Sequence, residues 1–131
     1  MKHLVLAVAF LTMSCLTALA GERPTKESNA AAIQQGRAAL SSKIAAFESS
    51  LKANNTTQAN ALATEIHGLL RTGMSHTMNE IALAPKEDRK TINVRYLAQE
   101  EAAHSFYQML KDVPGNGNKL VNQAKSFLKT Y

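Results

Sequence analysis

Residues 91–110 read TINVRYLAQEEAAHSFYQML, and within them Ile92, Tyr96, Gln99, Ala103, Phe106 and Leu110 are spaced 4, 3, 4, 3 and 4 apart. That is the seam of an amphipathic helix packed along its whole length. Just upstream, Ala84-Pro85 interrupts the helical pattern, because proline donates no amide proton and crowds the turn before it. Glu87 and Asp88 then suit the positive end of a new helix. The reading is a third helix over about Pro85–Lys111, entered through a tight hairpin at Pro85. The alternative is one long helix, Thr57 to Lys111, kinked at the proline.

Working back toward the N-terminus, Ala59, Leu62, Ala63, Ile66, Leu70, Met74 and Ile81 share one broad face of a second helix, about Thr57–Leu83. Gly68 and Gly73 interrupt it, and each costs about 1 kcal/mol relative to alanine in a helix interior. Close packing against a neighbour, or a bend, would account for them. A first helix, about Ser28–Ala53, carries Ile33, Leu40, Ile44, Phe47 and Leu51 as its stripe, and Asn54-Asn55-Thr56-Thr57 ends it with residues that tolerate the left-handed conformation and cap the next helix.

Beyond the third helix, Val113-Pro114-Gly115-Asn116-Gly117-Asn118 reads as a loop. A last helix, about Asn118–Lys129, aligns Leu120, Ala124, Phe127 and Tyr131. The fold class expected is therefore all-α: an up-down antiparallel bundle of three long helices and one short C-terminal helix, occupying 28–131. No stretch alternates apolar and polar residues as a strand would, and no repeat of solenoid length is present.

The first twenty residues belong to a different class. Lys2 precedes the apolar run Leu4–Leu11, and small residues lead to Ala18-Leu19-Ala20. A charged start, a short apolar core and an A-x-A ending form a secretory signal peptide, whereas a transmembrane helix needs about 20 apolar residues. The expected division is a cleaved leader 1–20, a flexible lead 21–27 containing Pro24, and the bundle. A lipoprotein acylated at Cys15 fits less well, since Leu11 stands one place too early and apolar residues continue past the cysteine.

Cleavage changes the arithmetic of the chain. Of its 131 residues 45% are hydrophobic and only 5% aromatic, with no Trp, one Cys and a net charge of +5. The exported form has 14 basic and 10 acidic side chains, a net charge of +4, and no cysteine. A periplasmic or secreted protein without disulfides must be held by its core alone. Transmembrane and disulfide-scaffold classes are thereby set aside.

Catalytic signatures are missing: there is no nucleophile elbow, phosphate loop, HExxH or CxxC. The residues that invite chemistry are His67, Met74, Met78, Glu101 and His104. A hairpin centred on Pro85 sets His67 and His104, eighteen and nineteen residues to either side, at one height. Imidazole with thioether suits copper, and imidazole with carboxylate suits zinc, so a copper or zinc site from His67, His104, Met74, Met78 and Glu101 is the alternative to a purely structural role. His76 and Glu80, four apart, could form a separate surface zinc pair. A diiron centre would need a second Glu-x-x-His beside Glu101-x-x-His104, and c-type haem would need cysteine.

Lys111, Lys119, Lys125 and Lys129 face only Asp112 after residue 110, a weakly cationic region suited to anionic surfaces. Nucleic acid is not an expected partner, since arginines interleaved with aromatics are lacking. The function expected is a non-enzymatic bundle that acts in the cell envelope by binding a partner protein or another copy of itself.

Overall fold

The computed structural model describes residues 23–131, so the expected leader 1–20, with Cys15, and the start of the expected lead lie outside the described residues. Four α-helices follow in order: α1 (Lys26–Lys52), α2 (Thr56–Leu83), α3 (Lys86–Met109) and α4 (Val113–Thr130), with a single 3-10 turn, Leu110–Asp112, between the last two. No strand is present among the described residues.

Each boundary has a local cause. Thr25 and Ser28 form a reciprocal capping box: the Ser28 amide donates to the Thr25 hydroxyl at 3.0 Å, and the Thr25 amide donates to the Ser28 hydroxyl at 2.8 Å. The cap starts α1 at Lys26, two residues before the expected Ser28, so the lead shortens to the residues before it. Asn54 ends α1 in the left-handed conformation at φ 53°, and Asn55 caps α2 by accepting from the Gln58 amide.

The expected hairpin at Pro85 is present. Ala84 and Pro85 are both extended, and α2 and α3 run antiparallel, with Glu80 reaching Arg95 and His67 lying against Tyr107. The register differs from a turn centred on Pro85, however, because His67 meets Tyr107 rather than His104. Two extended residues carry the chain about 3 Å each before α3 turns back, so α3 is shifted along α2.

The segment Val113–Asn118 is a correction: it is not a loop but the opening of α4. Asp112 accepts from the Gly115 amide at 3.0 Å, and Pro114 stands in the first turn, where its missing amide costs nothing. Val113 and Gly117 are buried, and a side chain on Gly117 would press into Leu51 of α1. Tertiary packing here overrides a composition that reads locally as a turn.

The core joins all four helices. Leu40, Ile44 and Phe47 of α1 meet Leu62, Ala63, Ile66 and Leu70 of α2, Ala102, Ala103 and Phe106 of α3, and Leu120, Val121, Ala124 and Phe127 of α4. Phe47, Phe106 and Phe127 are fully buried, so the scarce aromatics form its centre. No described helix is long and apolar enough to cross a membrane.

Candidate functional site

The helices are of unequal length: α1 has 27 residues, α2 28 and α3 24, but α4 only 18. The end of α4 lies level with Gln99, whose side-chain amide donates to the Thr130 carbonyl at 2.9 Å. Thirteen residues of α3 precede Gln99, about 20 Å of helix, and α1 and α2 run on beside them. Where a fourth helix would complete the bundle, three helices enclose a cleft of about 430 Å³. Its walls are Ala30 and Ile33 from α1, Leu83 and Ala84 from the end of α2, and Ile92 from α3.

Buried polar groups make its floor. Tyr131 is 4% exposed, and its hydroxyl lies 2.6 Å from His76 Nδ1. Asn29, equally buried, donates from Nδ2 to the His76 carbonyl at 3.0 Å and accepts from Asn79 on Oδ1. The tyrosine ring fits between helices only because Gly36 and Gly73 face it; side chains at those positions would strike the Tyr131 and Phe127 rings. Burial pushes the His76 imidazole below its ordinary pKa and raises the Tyr131 phenol to about 12, against the weaker opposing charge of Arg37. Both groups are neutral at neutral pH, and the phenol and Nδ1 share one hydrogen bond whose donor is set by the imidazole tautomer.

The rim carries charge of both signs. Glu80 and Arg95 pair at 2.6 Å, while Lys26, the first residue of α1, and Asp88, in the first turn of α3, also line the cleft.

A second, shallower groove lies lower on the α2–α3 face. His67, Met74, Glu100, Ala103, His104 and Tyr107 line it together with Arg71. His67 and His104 therefore share a surface although they are not opposite each other. The His67 ring lies tilted against Tyr107 with centroids 5.2 Å apart, and His104 Nε2 is 3.4 Å from the Gln108 amide. Burial, aided by the Arg71 charge, lowers the His67 pKa. Met78 is 56% exposed and Glu101 is exposed, and neither belongs to this lining. Among the described residues no three His, Cys, Asp or Glu side chains come together as a metal-holding group. His76 and Glu80 have separate partners, Tyr131 and Arg95.

On the cationic C-terminal region, Lys111, Lys119 and Lys129 are exposed, and Lys125 pairs with Glu48 at 2.8 Å. That lysine holds the Glu48 carboxyl below its usual value.

The open-end cleft is the feature that sequence reading missed. Stripes and breaks along one chain do not show it, because the cleft depends on how the ends of α1, α2 and α3 come together. No family model, curated protein or solved structure matches the chain.

Proposed function

We propose that this chain is a small exported, non-enzymatic helical bundle that acts by binding, and that the open end is where it binds. The observation that carries this reading is the cleft itself: apolar walls from α1, α2 and α3 face a space of about 430 Å³ above the buried Asn29 and Tyr131. Clefts that take small ligands have this size and this mixture of apolar walls with a few fixed polar groups. The leader-like residues 1–20 support export, and the absence of any catalytic motif in the sequence supports binding over turnover. Amide chemical shifts of the exported protein, followed through a ligand screen, test the reading. Hits should perturb Ala30, Leu83 and Ile92, and hits that cluster elsewhere would refute it.

A second reading is copper or zinc binding at His67 and His104. It is favoured by the groove that gathers His67, Met74, Glu100 and His104 on one face. Titration with Cu(II), Cu(I) and Zn(II) tests it. Unchanged affinity in the His67→Ala/His104→Ala variant would rule the pair out.

A further inference from the structure

The four charged side chains of the cleft do not all pair with each other. Glu80 and Arg95 form one ion pair. That leaves Lys26 on α1 and Asp88 on α3 lining the same cleft, and neither has an ion-pair partner among the described residues. Ala30, Ile33, Leu83 and Ile92 line the same cleft. The distance along α3 from Asp88 to Arg95 is about 10 Å, so an apolar body of that length can lie against these walls.

Each kind of occupant meets these two charges differently. An anion would gain Lys26 and be repelled by Asp88, a cation would do the reverse, and an uncharged molecule would pair with neither, leaving both exposed charges to water. Only a head group carrying both signs satisfies both rims, since charge-assisted hydrogen bonds are the strong ones. We propose that the cleft binds a small zwitterionic amphiphile: its acidic anion against Lys26, its ammonium against Asp88, and a single apolar body between α1, the α2–α3 turn and α3. This rests on the reading of the open end as a binding site and adds the chemical class. A free apolar amino acid and a single-chain phospholipid with an ethanolamine head share that chemistry.

Calorimetric titration of the exported protein with five probes, all below their micellar concentrations, provides the test. The probes are a ten-carbon lysophosphatidylethanolamine, phenylalanine, decanoate, decylamine and decanol. One of the two zwitterions should bind at least about tenfold more tightly than the last three. Preference for the lysolipid assigns a membrane source, and preference for phenylalanine a free amino acid. Lys26→Glu and Asp88→Lys should each weaken binding about tenfold. The exchange variant Lys26→Glu/Asp88→Lys should recover most of the loss, because the head group can turn round.

Decanoate or decylamine binding as tightly as the zwitterions, or an exchange variant no better than the singles, would overturn the proposal. The exposed Ala30 allows the broader reading to be judged separately. If Ala30→Trp, which fills the cleft, abolishes binding of singly charged or neutral probes that bind as tightly, the site stands and the zwitterion fails. If Ala30→Trp leaves every binding probe unaffected, both fail. Melting curves of each variant confirm that these surface changes leave the fold intact.

Discussion

Tyr131 is buried at the floor of the cleft, and its hydroxyl takes the one protein partner within reach, His76 Nδ1 at 2.6 Å. Removing that hydroxyl in Tyr131→Phe strands a partly buried imidazole nitrogen, at a cost of about 1–2 kcal/mol, which a urea midpoint measures. The same burial has a pH consequence. His67 and His76 both have folded pKa values below the ordinary 6.5. Below that value the unfolded chain binds more protons than the folded one, so stability is full above it and is lost as pH falls through and below about 6.5. Glu48, whose folded pKa is also lowered, contributes only under more acid conditions, below its ordinary value of 4.5. The urea midpoint should therefore be lower at about pH 5 than at about pH 7, and the difference should shrink in a His67→Asn/His76→Asn variant. Sequence alone placed Tyr131 on the stripe of the last helix and His76 on a flank. It could not show that the two meet, because their contact depends on how α4 packs between α1 and α2.

The two glycines of α2 look alike in sequence and differ in their surroundings. An added Cβ at Gly73 would stand 2.9 Å from the Phe127 ring, which is fully buried and cannot yield, whereas Gly68 has nothing within 4 Å. Alanine at Gly68 should stabilise the protein by up to about 1 kcal/mol through helix propensity. At Gly73 the same gain is outweighed by an overpacking cost of about 1–3 kcal/mol, so Gly73→Ala should lower the urea midpoint while Gly68→Ala raises it. The helices themselves were legible, because stripes such as Ile92-Tyr96-Gln99-Ala103-Phe106 recur at helical spacing and Ala84-Pro85 breaks the pattern plainly. Residues Val113–Asn118 were not legible, since Pro, Gly and Asn carry turn chemistry in any local window. What makes them helical is the Asp112 cap and the burial of Val113 and Gly117 against distant residues.

At the scale of the molecule the bundle is unevenly held. The contiguous core begins at Leu40 on α1, ends at Leu70 on α2 and takes in α3 only from Ala102, so it fills the section where all four helices are present. In the open section Ile92 is buried but stands outside that cluster, and the α2–α3 turn has the cleft on one side. Segments with few buried apolar contacts open locally at lower free energy than the core. Amide hydrogen exchange should therefore be fastest in the helical residues 27–32 and 86–94, and slowest around Phe47, Ile66, Phe106 and Phe127. A ligand bound to the folded state stabilises by RT ln(1 + [L]/Kd). If it sits in the cleft, its protection should fall first on the end that has least of its own, slowing exchange at 86–94 before the core responds. Uniform slowing across all four helices would instead place the ligand against the core or on the His67–His104 face. The pattern of protection thus reads out, in one measurement on the unmodified protein, whether the cleft beside the α2–α3 turn is the space in which the protein works.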